Sequence, residues 1–199
     1  MKKVYLYKGF ERLWHCLQAI SIILLILTGF EIHGSWHILG FQKAHRIHVF
    51  FGWTLVILTI FGIFWQITIG QWKMYFRNLK VEAMIETLKY YISGIFKGEP
   101  HPGEKTPEDK FNPLQKITYL GIIFFLVPYQ VVTGLLYFYY HKLPSIGIHI
   151  SLPVIAILHI IGAFLFFAFF IGHIYLGTTG HTVLSYIKGI ITGWEEVEE

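Results

Sequence analysis

The stretch LPVIAILHIIGAFLFFAFFIGHIYLG, residues 152–177, carries two histidines, His159 and His173, in an otherwise apolar run. The two are fourteen residues apart. In a helix this is nearly four turns, so both imidazoles point to one side, about 21 Å apart along the axis. An ionisable group in hydrocarbon is costly and needs a partner, and imidazole is a common axial ligand of haem iron. The spacing favours one helix that serves two haems at two membrane depths. The alternative is that both histidines only form hydrogen bonds to neighbouring helices.

The composition places the chain among integral membrane proteins. Hydrophobic residues make up 54% of the 199 residues and charged residues only 14%, which is a far more apolar balance than that of a soluble domain. Four segments are long enough to cross a bilayer core of about 30 Å. The sequence therefore predicts an all-α, four-transmembrane-helix bundle as one domain over 1–199. The expected spans are 13–30, 48–69, 114–139 and 151–176.

The distribution of lysine and arginine predicts the orientation of the chain. These residues are frequent in the N-terminal segment and in the connection between spans two and three, and sparse in the other two connections. By the positive-inside rule, the segments rich in them lie in the cytoplasm. Both termini are therefore expected to be cytoplasmic, which places His159 towards the outer leaflet and His173 towards the inner one. The net charge of +4 belongs to membrane loops, so no nucleic acid partner is expected.

A haem iron with two protein ligands needs a partner histidine at each depth. His15 lies near the cytoplasmic start of span one, at the level of His173, and His48 lies near the outer start of span two, at the level of His159. The sequence predicts an inner haem held by His15 and His173 and an outer haem held by His48 and His159. His45, three residues before His48, is the alternative outer ligand, although it lies closer to the water interface.

The haems are expected to be held without covalent bonds, because the chain has one cysteine and no C-x-x-C-H motif. Gly52, Gly162 and Gly177 each follow a ligand histidine by three or four residues. They either leave room for the macrocycle or simply let helices approach closely. Arg12 and Arg46 are candidates to neutralise haem propionates, or else interfacial anchors.

The connection between spans two and three contains an amphipathic segment. Apolar residues recur at helical spacing over 79–97 with charged residues on the other faces, which predicts a helix lying on the cytoplasmic surface. Further on, Asn112 and Pro113 are typical of a helix start, with the cap at Asn112. This assignment explains Asn112 but leaves Gln115 without a structural role. The C-terminal WEEVEE, residues 194–199, is expected to be solvated.

Nearly the whole chain resembles the cytochrome b subunit, or gamma subunit, of respiratory formate dehydrogenases and its relatives in nickel-iron hydrogenases and thiosulfate reductases. The matching stretches are ERLWH at 11–15, HRIHVFFG at 45–52, KFNPLQK at 110–116 and LHIIGAFLFFAFFIGHIYLGTTG at 158–180. The resemblance implies four transmembrane helices and two b haems, with the axial ligands at His15, His48, His159 and His173.

The resemblance also implies partners and a second substrate. A quinone pocket beside the inner haem carries over onto Asn112 and Gln115, with menaquinone or ubiquinone as the exchangeable substrate. The chain would be an electron-transfer subunit of a hetero-oligomeric respiratory oxidoreductase in a prokaryotic cytoplasmic (inner) membrane, in contact with lipid. Its partner on the outer face would be an iron-sulfur subunit or a multihaem cytochrome. Its own chemistry would be limited to quinone reduction or quinol oxidation.

Two other functions remain open from the sequence. One is a stand-alone quinone-linked oxidase or reductase that exchanges electrons with a small diffusible molecule, and the other is a haem-free membrane anchor. Four further histidines in the outer connections are expected to be interfacial residues or contacts to a partner rather than a metal site. These are His33, His37, His141 and His149.

Overall fold

The structure is a computed structural model and describes residues 2–99, 102, 106 and 109–197. Its helices and strands, numbered in chain order, are β1 (Lys2–Tyr5), α1 (Gly9–Ile32), α2 (Phe41–Thr68), α3 (Val81–Lys89), α4 (Pro113–Gly121), α5 (Val127–Phe138), α6 (Leu152–Gly177), α7 (Ser185–Thr192) and β2 (Trp194–Val197). Short 3-10 helices cover Gln71–Phe76, Ile95–Lys97 and Tyr140–Ile146, and π-helical turns cover Tyr90–Gly94 and Ile122–Leu126.

Four helices are long and apolar enough to cross a membrane: α1, α2, the continuous segment Pro113–Phe138, and α6. Between 6% and 11% of the most apolar part of each is buried within the protein. Apolar surface of this extent requires a hydrocarbon solvent. A helix is stable there because its backbone N–H and C=O groups form hydrogen bonds within the helix. The all-α fold with four transmembrane helices is therefore confirmed.

Helix α2 begins at Phe41, two turns earlier than the span predicted from apolarity. The cause is Glu31, which is 6% exposed and accepts the backbone N–H groups of Ile38, Leu39 and Gly40 at 3.0, 2.5 and 2.7 Å. These bonds order the connection directly before the helix. As a consequence His48 lies within a regular helix rather than at its beginning.

The third membrane helix is not uniformly α-helical. It consists of α4, the π-helical turn Ile122–Leu126 and α5. Pro128 lies in the first turn of α5, where its ring would collide with a preceding carbonyl of a regular α-helix and its nitrogen donates no hydrogen bond. The wider π turn immediately before it accommodates the proline without ending the helix.

The chain divides into two compact units. Unit 1 comprises Met1–His15, Ile60–Gly121 and Leu176–Glu199, and unit 2 comprises Cys16–Thr59 and Ile122–Tyr175. Unit 1 contains the segments predicted to be cytoplasmic, whereas unit 2 contains the two connections predicted to lie outside.

In unit 1 the two ends of the chain form an antiparallel sheet. Strand β1 pairs with β2 so that Val4 lies opposite Glu195 and Tyr5 opposite Trp194. Glu195 is 4% exposed and accepts a hydrogen bond from the Tyr7 hydroxyl at 3.4 Å. The expectation of a solvated C-terminal tail is thus wrong for Glu195, which the strand pairing and Tyr7 bury, whereas Trp194 and Glu196 are exposed. Residues 198 and 199 lie outside the described residues.

Unit 1 also contains the predicted amphipathic segment. Its helical residues run from Val81 to Lys97 in three successive pieces, namely α3, a π-helical turn and a 3-10 turn. Its location on a membrane surface stays a prediction. Elsewhere in this unit, α1 and α2 pack closely, since the rings of Phe10 and Trp65 stack at 4.2 Å and a Cβ added at Gly62 would collide with the indole of Trp14.

In unit 2 the helices are joined by aromatic contacts and by side chains bonded to backbone. The Phe30 ring of α1 lies 5.8 Å from that of Phe164 and 5.3 Å from that of Phe167, both on α6. The Tyr129 hydroxyl of α5 donates to the carbonyl of Leu158 at 2.7 Å. Gly162 permits this approach of α5 and α6, because a Cβ there would collide with Gln130 and Tyr129. Gly162 is therefore a helix-packing residue rather than a gap.

Candidate haem site

Two of the four predicted ligand histidines lie next to each other in unit 2. His48 of α2 and His159 of α6 have ring centres 6.4 Å apart and ring planes inclined by 76°. The alternative ligand His45 is exposed and stacks against the ring of Phe41 at 6.0 Å. The structure thus brings His48, and not His45, to His159.

The imidazole of His48 is held by α1. Its Nδ1 lies 3.0 Å from the hydroxyl oxygen of Thr28, and that hydroxyl donates to the carbonyl of Leu24 at 2.6 Å. The next residue, Gly29, lets the ring approach the helix closely, since a Cβ there would lie 3.4 Å from Cε1 of His48. Thr28 is 2% exposed, so the interaction is shielded from water.

The imidazole of His159 is held in the same way by α5. Its Nδ1 lies 3.0 Å from the hydroxyl oxygen of Thr133, and that hydroxyl donates to the carbonyl of Tyr129 at 2.9 Å. The next residue is again a glycine, Gly134, whose added Cβ would lie 3.3 Å from Cε1 of His159. Both histidines are therefore held by a threonine-glycine pair on a neighbouring helix.

Gln130 is a further polar neighbour of His159. Its Nε2 lies 3.3 Å from both ring nitrogens and 3.3 Å from the backbone oxygen of His159. Its Oε1 is buried and has no hydrogen-bond partner among the described residues. A buried amide with one unsatisfied end is unusual in a folded protein, and it makes the surroundings of His159 more polar than those of His48.

The pair fits a haem iron. Two imidazoles that bound one iron from opposite sides would have their nitrogens about 4 Å apart, since each metal–nitrogen bond is about 2.0 Å long, and their ring centres would lie about 6 Å apart. The observed 6.4 Å matches this separation. Close to the pair, a Cβ added at Gly52, one turn after His48, would meet no atom of the described residues within 4 Å. Two imidazoles are a donor set that suits a b-type haem.

The other two predicted ligands, His15 and His173, lie in different units. His173 is near the C-terminal end of α6, where its ring lies 5.5 Å from that of Phe169. In unit 1, one turn before His15, the Nε of Arg12 is buried and has no hydrogen-bond partner among the described residues. A buried guanidinium N–H without an acceptor suits an anionic ligand group such as a propionate.

The predicted quinone residues form a helix cap at the start of α4. The backbone N–H of Gln115 donates to Oδ1 of Asn112 at 2.8 Å, and the backbone N–H of Asn112 donates to Oε1 of Gln115 at 3.1 Å. This is a reciprocal capping box. The expectation that Gln115 lacks a structural role is therefore wrong. Asn112 also donates from Nδ2 to the hydroxyl of Tyr91 at 3.1 Å, and burial raises the pKa of Tyr91 to about 12.

The four histidines of the predicted outer connections are exposed, and no group of three or more potential metal ligands occurs among the residues that the structure describes. His141 and His149 line one shallow pocket together with Tyr140 and Ser151. His33 and His37 lie on the surface of the α1–α2 connection.

The sequence interpretation missed the residues that hold the imidazoles, namely Thr28, Gly29, Gln130, Thr133 and Gly134. The dipeptide Thr-Gly occurs four times, at 28–29, 133–134, 179–180 and 192–193, and the first two lie in predicted spans that carry no ligand at that depth. This repetition was the available signal.

Comparison with known proteins identifies the family of the chain. The family model described as "Prokaryotic cytochrome b561" matches residues 6–193. The chain is 29% identical over 200 residues to the protein of Escherichia coli (strain K12) named "Putative cytochrome YdhU", and the match covers 97% of this chain and 75% of that protein. No solved structure matches the chain. The chain belongs to the prokaryotic cytochrome b561 family and is a multi-pass b-type cytochrome of electron transfer in a prokaryotic membrane.

Proposed function

We propose that this chain is the di-haem subunit of a respiratory oxidoreductase complex in the cytoplasmic membrane, with both termini in the cytoplasm. It carries electrons across the membrane between a redox partner on the outer face and a quinone near the cytoplasmic face. The outer partner is an iron-sulfur subunit or a multihaem cytochrome. A b-type haem held by two histidines supplies reversible one-electron transfer.

The observation that carries this proposal is the pair His48 and His159. Their separation of 6.4 Å suits one iron between them. Each imidazole also has its Nδ1 beside a threonine hydroxyl, an outer-shell contact typical of metal-ligating histidines. In this pair the threonine contacts orient both imidazoles.

The second haem is proposed at His15 and His173. Helix α6 is uninterrupted over Leu152–Gly177, so His159 and His173 lie about 21 Å apart along its axis. Helix α6 would then supply one imidazole to each haem, at two different membrane depths. The buried and unsatisfied Nε of Arg12 supports an anionic group near His15, since a desolvated guanidinium needs an acceptor.

The quinone is proposed to bind at Asn112 and Gln115. Both side chains already have capping partners, but the cap uses Oε1 of Gln115 and leaves its Nε2 as the atom suited to donate to a quinone carbonyl. The hydroxyl of Tyr91 beside Asn112 is held in the neutral, proton-bearing form by its raised pKa. These groups could supply hydrogen bonds to a reduced quinone.

Haem content of the purified full-length chain tests the proposal. A pyridine haemochrome assay combined with a protein determination counts b haems per polypeptide, and we expect two. One haem would overturn the di-haem assignment. A haem-free, folded chain would support the passive anchor instead, against the expectation from the family. Co-purification of a redox-active subunit from native membranes then distinguishes a complex subunit from a stand-alone quinone enzyme.

A further inference from the structure

We infer that Thr28 and Thr133 are positioning residues, which hold His48 and His159 in the tautomer with the proton on Nδ1 and so leave each Nε2 lone pair for haem iron. This inference rests on the proposed haem ligation. It adds two residues, one on α1 and one on α5, that bind no cofactor themselves but determine which ring nitrogen of each histidine is available to the iron.

The hydrogen-bond partners of Thr28 determine the tautomer of His48. A hydroxyl has one proton, and a carbonyl oxygen can only accept. At 2.6 Å from the carbonyl of Leu24, the hydroxyl of Thr28 must direct its proton there. Its oxygen can then interact favourably with Nδ1 of His48, 3.0 Å away, only by accepting a proton from that nitrogen. The other nitrogen, Nε2, therefore carries the lone pair.

The same argument holds for His159. The hydroxyl of Thr133 has carbonyl acceptors at Tyr129 and Gln130, at 2.9 and 3.2 Å, and Nδ1 of His159 at 3.0 Å. The hydroxyl proton goes to the carbonyls, so Nδ1 donates to the threonine. Nε2 of Gln130, which lies 3.3 Å from both ring nitrogens, then donates to the backbone oxygen of His159. Two independent helix pairs, α1 with α2 and α5 with α6, thus reach one arrangement with equal Oγ1 to Nδ1 distances.

A bond from threonine back to its own helix does not by itself indicate a function. Thr59 of α2 donates to the carbonyl of Leu55 at 2.8 Å, and Ser21 of α1 donates to that of Leu17 at 2.8 Å, as hydroxyls in apolar helices commonly do. Thr28 and Thr133 share this bond and in addition contact a histidine nitrogen. The following glycines, Gly29 and Gly134, allow that contact, because their missing side chains leave room for the imidazole Cε1.

The interaction has an electronic consequence as well as a geometric one. An imidazole that donates its second N–H to an acceptor is a more basic ligand at the nitrogen bound to the metal. A more electron-rich ligand stabilises ferric over ferrous iron. Removing the threonine acceptor should therefore raise the midpoint potential of that haem and weaken its binding.

The test uses the full-length chain in detergent with its haems bound. Thr28→Val and Thr133→Val remove the hydroxyl at nearly constant volume, and Thr28→Ser and Thr133→Ser restore it. Thr59→Val is the matched control, because it breaks the same kind of backbone bond in the same unit without touching a histidine. The readouts are the midpoint potential of each haem by optical redox titration and the retention of haem against an apo-myoglobin competitor.

We expect each valine variant to shift one midpoint potential upward and to lower haem affinity about 10- to 100-fold, the usual cost of losing an outer-shell partner. The serine variants should return both values towards those of the parent chain, and Thr59→Val should change neither. A valine variant that does not fold is replaced by Thr28→Ala or Thr133→Ala, read in the same way.

Valine variants that match Thr59→Val in potential and affinity overturn the positioning role. That result is distinct from failure of the proposed function, in which His48→Ala and His159→Ala would keep the full haem content. If the histidine variants lose haem while the threonine variants change nothing, only the inference is wrong. A parent chain without haem overturns both.

Discussion

Lys110 donates to both carboxylate oxygens of Glu11, at 2.8 and 2.9 Å, across 99 positions of sequence. The lysine side chain is 3% exposed and the glutamate side chain 15% exposed. Glu11 also accepts the backbone N–H of Lys8 at 2.7 Å, at the N-terminal end of α1, where a negative charge is favourable. The pair fixes the segment before α4 to the first turn of α1 and so positions Asn112.

Lys110→Met should strongly destabilise the protein. It leaves the Glu11 carboxylate largely buried without its cation, and loss of one partner of a buried ion pair costs about 3–5 kcal/mol. The double variant Lys110→Met with Glu11→Met should be less damaging than the sum of its parts, since no charge is then left unpaired. Equilibrium unfolding in mixed micelles measures the free energy of unfolding of each variant.

Lys3→Met is the control for this experiment. Lys3 lies 3.8 Å from Glu196, with side chains 72% and 54% exposed, and an exposed pair contributes about 0–1 kcal/mol. A loss for Lys110→Met no larger than that for Lys3→Met would show that the Glu11 pair does not hold unit 1 together.

His48→Ala and His159→Ala should each remove the same one of the two proposed haems. Both imidazoles are needed for one iron, and their ring centres lie 6.4 Å apart. Low-temperature difference spectra should show loss of one α-band component in both variants. His45→Ala is the matched control and should keep both haems, because His45 is exposed and stacks on Phe41.

His15→Ala and His173→Ala should remove the other component and leave the first intact. The proposed pairing is incorrect if any of these variants loses both haems while remaining folded. It is also incorrect if His45→Ala loses an α-band component that His48→Ala retains.

The requirements of the membrane make the four spans and their histidines predictable from the sequence. A helix in hydrocarbon must be long and apolar, so four spans stand out, and a histidine within such a span, such as His159, is conspicuous because it is costly. The start of α2 was less readable, since it depends on the contacts of Glu31 with three residues of the preceding connection. No pattern within α2 reports them.

Features that depend on contacts between distant segments could not be derived. The pairing of β1 with β2 joins opposite ends of the chain, and neither segment alternates strongly enough to predict a strand. Thr28 resembles any hydroxyl that bonds to its own helix, and only the neighbouring helix reveals its contact with His48. Gln115, by contrast, was derivable, because the sequence already predicts the cap at Asn112 and a glutamine three residues after the cap is the pattern of a capping box.

Alkaline pH should destabilise unit 1 through two buried tyrosines. Burial raises the pKa of Tyr75 to about 12, with a further contribution from Glu11, and burial raises that of Tyr91 to about 12. A phenol whose folded-state pKa is raised stabilises the fold fully below its unfolded pKa near 10. This stabilisation is lost as the pH rises through the folded-state value.

The free energy of unfolding should therefore fall steeply between pH 10 and pH 12, and less steeply in Tyr75→Phe, which has no proton to lose. Chemical unfolding at pH 8 and at pH 11.5 measures both slopes. Tyr139→Phe, at a more exposed tyrosine of unit 2, controls for the substitution itself. An equal fall in the parent chain and in Tyr75→Phe would contradict the assignment.

Two substitutions of Gln115 separate its structural role from the proposed quinone contact. Gln115→Glu keeps an oxygen that can accept the backbone N–H of Asn112, as glutamate does in capping boxes, but it has no amide N–H to donate. Gln115→Leu removes both functions, and loss of the cap should cost about 1 kcal/mol. If Gln115 donates to a quinone, both variants should raise the KM for a soluble quinol analogue while the haem content stays unchanged.

Normal quinol oxidation by Gln115→Glu together with impaired oxidation by Gln115→Leu would mean that the cap alone matters, since only the leucine variant disturbs the start of α4. Normal oxidation by both would move the quinone site away from Gln115 altogether. Asn112→Asp is the matched variant on the other side of the cap. It keeps the Oδ1 acceptor for the backbone N–H of Gln115 but cannot donate to Tyr91 as Asn112 does. A KM increase in Asn112→Asp and Gln115→Glu, with unfolding free energies close to that of the parent chain, is therefore the result that assigns the two amide groups to the quinone rather than to the helix.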